Sequence, residues 1–457
     1  MIRSNLNYLE PDFMDIVRLF PEAEEPEIFH VNENGARNVF RIGEREYAFD
    51  VMPVRAGEER EYDGKTLTKR YAKLALYRLL SSLYKRKLPW GALTGIRPTK
   101  LAYRERERGH DELPLLRAME VSEENLALLS RVMKTQEGVY EKREGNCDLY
   151  VSLPFCPTRC SYCSFITAPI AATRQYMGEY LACLAKEFEG AKPLIRNLRS
   201  VYVGGGTPFV LETRELEEVF RMIAPVHMRG CEYTVEAGRA DVFTEEKLDL
   251  CKKYGVTRIC INAQSFSDST LERIGRKHTG RDVERAFEMA KPYGFLVNCD
   301  LIAGLTGESV KEFAESVDRA IALEPENITV HTLCLKKGAR LKEETALLSD
   351  SGLEEMIALS REKLTAAGYE PYYLYRQKYM AGAHENVGWT KKGCASVYNI
   401  DVMEETTDNL AVGANAISKR VVLNGNGKIV RLASPKDIPS YLNKVETIIE
   451  EKKKLFS

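Results

Sequence analysis

Hydrophobic residues change their spacing repeatedly along the first ninety positions. Phe13, Ile16, Val17 and Phe20 recur at helical intervals and predict an amphipathic helix over 11–20. The run Asn38-Val-Phe-Arg-Ile-Gly43-Glu-Arg-Glu-Tyr-Ala-Phe-Asp-Val51 predicts a hairpin that turns at Gly43-Glu44. Positions 67–88 return to a helical pattern and are strongly basic, with Lys69, Arg70, Lys73, Arg78, Lys85, Arg86 and Lys87. The favoured reading of that charge is a solvated helix face; the sharper one is an anion-binding surface.

From Cys147 a different rhythm begins. β-like runs cover 149–153, 200–203, 232–235, 258–262, 295–301 and 328–333. Helical stretches at 174–190, 213–223, 244–254, 281–293 and 309–323 lie between them. The last opens with Ser309-Val-Lys-Glu312, a capping box in which each side chain meets the other residue's free N–H. Alternation at this spacing predicts parallel strands joined by crossover helices. Six units suit an open or partial barrel, with its active site at the C-terminal ends of the strands.

After a helix at 353–367, Tyr369, Tyr372, Tyr373, Tyr375 and Tyr379 crowd together, and a charged helix closes the chain at 442–455. The tyrosines are expected to pack as core. Three domains follow from these shifts: an N-terminal α+β domain over 1–145, an α/β partial (β/α)6 barrel over 146–369, and a smaller C-terminal domain over 370–457.

Composition narrows the classes. The 457 residues are 44% hydrophobic and 29% charged, as in ordinary soluble globular proteins. A net charge of −1 gives no global field that would recruit nucleic acid. No apolar run reaches the roughly 18 residues of a membrane helix, and the first dozen residues lack the apolar core of a signal peptide. A cytoplasmic protein is expected, and its eleven cysteines are expected as free thiols or ligands.

Three of those cysteines stand apart. Cys156, Cys160 and Cys163 fall within eight residues of one loop, directly after the first β-like run. Thiols that close are metal ligands more often than core residues. Structural zinc wants four ligands, and no fourth Cys or His stands in a paired spacing; Cys147 is the nearest. A [4Fe–4S] cluster held by three cysteines keeps one iron open. The other eight cysteines are scattered and expected to pack as small hydrophobes.

Further polar elements follow the later strands, so all are expected on one rim. Gly204-Gly-Gly-Thr-Pro208 follows the second and Glu236-Ala-Gly-Arg239 the third. Gln264-Ser-Phe266 follows the fourth, with Arg276 and His278 beyond it, and Asp300 precedes Ile302-Ala-Gly-Leu305 in the fifth. A triple glycine lets backbone groups approach a ligand closely. Glu236 and Asp300 can accept from hydroxyls or an amine, and Arg276 can pair with a carboxylate. His278 and His331 read equally well as substrate contacts or as satisfied core histidines.

These features resemble the radical S-adenosylmethionine superfamily. Cys-x3-Cys-x2-Cys after a strand is its cluster loop, and Gly204–Pro208 matches its Gly-Gly-Gly-Thr-Pro element. Tyr150 to Phe165, Gln264-Ser-Phe266 with Arg276, and Asp300 to Leu305 resemble more narrowly the oxygen-independent coproporphyrinogen III oxidase family. Leu88-Pro-Trp-Gly-Ala-Leu-Thr-Gly-Ile-Arg-Pro-Thr-Lys100, Tyr372-Tyr-Leu-Tyr-Arg-Gln377 and Glu385-Asn-Val-Gly388 are similar to its coproporphyrinogen dehydrogenase HemZ branch.

The resemblance implies that Cys156, Cys160 and Cys163 hold a [4Fe–4S] cluster. It implies that Tyr150, Gly205, Gly206, Thr207, Glu236, Gln264, Arg276 and Asp300 contact S-adenosyl-L-methionine. It implies a 5′-deoxyadenosyl radical that drives oxidative decarboxylation of coproporphyrinogen III to protoporphyrinogen IX in heme biosynthesis. A one-electron donor and an electron acceptor are implied as partners, and no catalytic residue is assigned. The alternatives are a heme-binding chaperone of the same family and a radical enzyme acting on another substrate.

Three positions depart from the family pattern. The oxidase branch has a fourth cysteine two residues after the third; here that position is Phe165, and a chaperone branch also lacks the cysteine. The usual Glu-x-Asn-Pro is Glu236-Ala-Gly-Arg239. A Gly-Ala-Gly-Ala-type loop appears as Gly413-Ala-Asn415-Ala, where Asn suits a left-handed backbone. Cys160→Ala is expected to abolish the visible absorbance of the reconstituted cluster; unchanged absorbance refutes the ligand assignment.

Overall fold

The computed structural model describes residues 2–23, 27–95, 97–163, 168–228, 230–334, 350–377, 384–423 and 428–457. Phe165 and Tyr379 lie outside the described residues. The chain forms two compact units. One comprises Met1–Arg131 with Leu374–Glu385, the other Val132–Tyr373 with Asn386–Ser457.

The first unit contains a four-stranded sheet in the order β1 (Ile2–Ser4), β2 (Ile28–Glu33), β3 (Arg37–Ile42) and β4 (Arg45–Asp50). The expected hairpin joins β3 to β4, with Gly43 left-handed at φ 58°. The helix Glu10–Val17 buries Phe13, Ile16 and Val17, which join one core with the helix Gly64–Leu83. Asp63 starts that long helix by accepting from the Thr66 N–H at 2.9 Å. Its cations are engaged: Lys69 with Asp12 at 2.7 Å, Arg70 with Glu58, Lys73 with the Thr94 hydroxyl at 2.5 Å, Arg78 with Glu120 at 2.6 Å. Lys85, Arg86 and Lys87 lie past its end at Leu83. The solvated, locally neutralised face is what this pairing supports.

The second unit is an α/β domain. Six strands run parallel and are neighbours in chain order: β5 (Asn146–Leu153), β8 (Asn197–Gly205), β9 (Glu232–Gly238), β10 (Arg258–Ile261), β11 (Leu296–Ala303) and β12 (Asn327–Thr332). Two short strands, β6 (Phe155–Cys156) and β7 (Ala168–Pro169), pair separately after β5. The crossover helices are Met177–Ala191, Thr213–Ile223, Glu245–Lys253, Gly280–Ala290 and Val310–Ala322. The predicted capping box is present, with Ser309 and Glu312 each accepting from the other's backbone N–H.

The remaining strands extend this sheet at both edges. β13 (Glu370–Tyr375) and β14 (Asn386–Thr390) continue it beyond β12, and β14 runs antiparallel to β12. β15 (Asp408–Val412) pairs parallel to β5, followed by β16 (Ile417–Val421) and β17 (Ile429–Ala433) in antiparallel order. The result is a mixed sheet of eleven strands. Pairing both edges of the parallel core covers N–H and C=O groups that would otherwise be bare. Tyr369, Tyr372 and Tyr373 are buried and Tyr375 half-buried. Of the scattered cysteines, Cys183, Cys334 and Cys394 are only half-buried; Cys147, Cys231, Cys251, Cys260 and Cys299 pack inside.

Behind β15, Glu187 is fully buried and saturated. It pairs with Lys452 and accepts from the Tyr441 hydroxyl at 2.6 Å and the Gly413 N–H at 2.8 Å. Lys452→Met strands that carboxylate and is expected to cost about 3–5 kcal/mol. A urea titration measures this, and a cost below about 1 kcal/mol contradicts the account.

Candidate active site

The cysteine loop is tied at several points. Its stems meet where β6 pairs with β7, and the Ala168 N–H donates to the Pro154 carbonyl at 2.8 Å. Inside it, the Ser161 N–H donates to Ile274 O at 3.0 Å and the Cys163 N–H to Cys160 O at 3.2 Å. Cys160 is buried; Cys156 and Cys163 are half-buried. The Thr207 hydroxyl reaches Cys156 Sγ at 3.5 Å, and the Thr207 N–H donates to Phe155 O at 2.7 Å. Arg276 donates to the Tyr162 hydroxyl at 3.1 Å and to the Asn262 carbonyl.

The glycine run ends β8 against this loop. A Cβ on Gly206 would lie 2.3 Å from Phe155 O, and Gly205 holds φ at +104°. Only glycine satisfies both demands. The Gly205 N–H donates to Glu236 Oε2 at 3.2 Å, and the Tyr202 hydroxyl donates to Glu236 Oε1 at 2.6 Å. Burial, with the Asp300 charge adding to it, pushes the Glu236 carboxyl up to about 7. Tyr150, Tyr202 and Tyr398 form a triangle of near-parallel rings, with centroids 6.0, 4.3 and 6.2 Å apart. Burial and the Glu236 charge push the Tyr150 phenol up, so it stays neutral.

Gln264 is a non-glycine residue at φ 68°, a conformation that needs outside support. It has that support: its N–H donates to Asp300 O at 2.7 Å, and its carbonyl accepts from the Ile302 N–H at 2.9 Å. Its side-chain Oε1 is buried without a partner, as are Asn262 Oδ1 and Arg276 Nε. Unpaired buried polar atoms cost about 1–3 kcal/mol each unless a ligand satisfies them. Asp300 is half-buried and lies 3.8 Å from His331 Nε2.

The predicted residues are thus linked around the C-terminal strand ends by direct contacts or shared partners. Asn262, Tyr202 and Tyr398 join them without having been predicted. Tyr202 lies two positions before Gly204 on the same face of β8, which is a readable signal, while Asn262 follows directly on the end of β10. Tyr398 comes from a helix, Val397–Glu404, that no local pattern assigns to this site. A separate cavity, lined by Arg143, Arg196 and Arg420, lies at the opposite end of β5 and holds none of the predicted residues.

The donor chemistry is that of a soft-metal loop beside acceptors for amine and hydroxyl groups. Among the described residues no three His, Cys, Asp or Glu side chains are drawn together as a single ion requires. A four-iron cluster asks less convergence, since each thiolate meets its own iron. The loop thiols, the glycine approach and the unpartnered Gln264, Asn262 and Arg276 atoms fit a cluster with a polar organic ligand at its side.

Comparisons with known proteins agree with that chemistry. Residues 150–320 match the Radical SAM superfamily model. The oxygen-independent coproporphyrinogen-III oxidase-like protein HemZ of Bacillus subtilis is 36% identical over 386 residues, 79% of this chain and 76% of that one. The heme chaperone HemW of the same organism is 35% identical over 193 residues, 41% of this chain and 50% of its own length. The solved coproporphyrinogen III oxidase HemN of Escherichia coli shares the fold, with a TM-score of 0.55 at 20% identity over 70% of this chain and 72% of that one. The chain belongs to the radical SAM superfamily and, within it, to the oxygen-independent coproporphyrinogen III oxidase-like family. No described helix is long and apolar enough to cross a membrane.

Glu236 supplies a test that needs no cofactor. Its carboxyl titrates near 4.5 in the unfolded chain and at about 7 when folded. The folded state therefore holds the extra proton, and stability present below about 4.5 is lost as pH rises through 7. The loss is about 3 kcal/mol. Urea unfolding at pH 5 and pH 7.5 is expected to show a smaller pH dependence for Glu236→Gln than for the parent; equal dependence contradicts the shift.

Proposed function

We propose that this protein is a coproporphyrinogen dehydrogenase of the HemZ branch, converting coproporphyrinogen III to protoporphyrinogen IX without oxygen. One observation carries the branch reading. Residues of the stretch around Trp90 meet Arg376 and Glu385 inside the first unit. Trp90 Nε1 donates to Glu385 Oε2 at 2.7 Å, and Arg376 donates to Leu93 O while its guanidinium lies 5.5 Å from the Trp90 ring. Trp90, Leu93, Arg376 and Glu385 therefore pack together, and the similarity to HemZ extends over more of the chain than the similarity to HemW.

In this reading Cys156, Cys160 and Cys163 hold a [4Fe–4S] cluster, and S-adenosylmethionine lies beside it. Once bound, these groups would supply the radical chemistry that the oxidative decarboxylation of a propionate side chain requires. The chain's residues position and shield. Glu236 gains a reason to ionise when a hydroxyl or ammonium donor arrives. Gln264 Oε1 finds the donor it lacks, and Arg276 offers its remaining N–H to a carboxylate. Tyr150, Tyr202 and Tyr398 exclude water from one side of the Glu236 carboxylate. Tyr150, Gly205, Gly206, Thr207 and Asp300 complete the same wall.

The sheet is read as a partial (β/α)6 barrel, with accessory and family-specific domains before and after it. A cytoplasmic one-electron donor and an electron acceptor complete the cycle. An anaerobic assay with reconstituted protein, reductant, S-adenosylmethionine and coproporphyrinogen III is expected to release carbon dioxide and form vinyl product. No turnover together with stoichiometric heme binding overturns this reading in favour of the chaperone, which the Phe165 substitution would suit.

A further inference from the structure

Arg239 stands where the family pattern has a turn residue, and the structure gives it a specific task. Its side chain is 3% exposed. Nε and Nη2 donate to the two carboxylate oxygens of Asp241 at 2.9 and 2.7 Å. Nη1 donates to Thr158 Oγ1 at 2.6 Å. Thr158 lies midway between Cys156 and Cys160, and its hydroxyl donates onward to Gly275 O at 3.3 Å. Behind the pair, His278 is buried with Nδ1 3.5 Å from Asp241 Oδ1. Burial opposes the Asp241 charge, yet the contacts with His278 and Arg239 more than offset it and hold the carboxyl well below its ordinary range.

Thr207, after β8, ties the loop's start at Phe155 and Cys156, and residues 274–276 hold its middle. Ile274 O accepts from Ser161, Gly275 O from Thr158, and Arg276 reaches Tyr162. Arg239 is the side-chain tie that comes from the β9 side. At Thr158 itself it opposes the Gly275 carbonyl, so the hydroxyl is held from two sides. A guanidinium suits this task because its planar fork can saturate a carboxylate and still direct another N–H elsewhere.

We propose that Arg239, braced by Asp241, is a positioning residue that holds the cysteine loop in its ligating conformation through the Thr158 hydroxyl. This rests on the cluster assignment above. It makes the unusual Glu236-Ala-Gly-Arg239 turn a working part: one end of the turn serves the organic ligand, the other the metal loop. Partners behind metal ligands typically change affinity about tenfold to a hundredfold when removed.

The test uses the full chain, reconstituted anaerobically with iron and sulfide, and needs no porphyrin. Thr158→Val removes the hydroxyl and keeps the shape; Thr158→Ser removes the methyl and keeps the hydroxyl. Thr158→Val is expected to lose iron to a chelator about tenfold faster and to change the electron paramagnetic resonance spectrum of the reduced cluster. Thr158→Ser is expected to behave as the parent. The double variant Arg239→Gln with Asp241→Asn, which keeps the net charge, is expected to match Thr158→Val. Parent-like iron retention and spectra in both Thr158→Val and the double variant overturn the proposal. A defect in Thr158→Ser but not Thr158→Val also overturns it, because the methyl would then be what matters. A parent protein that takes up no cluster sinks the functional reading itself, a result distinct from either.

Discussion

One buried cation, Arg258, organises the end of the sheet opposite the candidate site. It stands at the start of β10 and is 1% exposed. Its nitrogens donate to Glu232 at the start of β9, to Asn298 in β11, to Asn327 at the start of β12, and to the Cys394 carbonyl. A buried guanidinium is tolerable only when its donors are satisfied. These contacts therefore tie four neighbouring strands to one register. Glu232 also accepts from Ser396 Oγ and the N–H groups of Val397 and Tyr398, which caps the helix Val397–Glu404. That cap fixes Tyr398 where it stacks on Tyr202, which in turn orients Glu236.

The polar groups at the two ends of the strands are satisfied to different degrees. At Arg258 the guanidinium's nitrogens all find acceptors, as expected of a network that specifies register. At the other end, Gln264 sits in a left-handed conformation with an unpaired oxygen, and Glu236 is pushed towards neutrality. Deficits of that kind concentrate where a ligand is to be received. The unmet atoms of Asn262, Gln264 and Arg276 thus gather beside the cysteine loop.

Much of this was legible in the sequence because it is local. Each parallel strand announces itself by a short apolar run and the polar motif that follows it, so the strand-end position of Gly204–Pro208, Glu236 and Gln264 could be read directly. Asn415 does adopt the predicted left-handed backbone, at φ 59°. The strands after 370 were harder. Nothing near Asp408–Val412 says that this segment lies beside β5, because that choice is made by edge pairing across most of the chain. Arg239 and Tyr398 were missed for a related reason: their partners, Thr158 and Tyr202, are distant in sequence, and residue type alone does not specify such contacts.

The parallel pairing of β15 with β5 also bears on biogenesis. Ser152 Oγ donates to Ala414 O, 262 residues further along the chain. During synthesis the strand that leads into the cysteine loop emerges first and waits for a neighbour made more than 250 residues later. Contacts of such long sequence separation form late and slowly. Until then one edge of β5 is open to chance partners, the usual hazard of a partly made sheet. The cysteine loop therefore gains a fully supported strand only after residues 408–412 have joined the sheet.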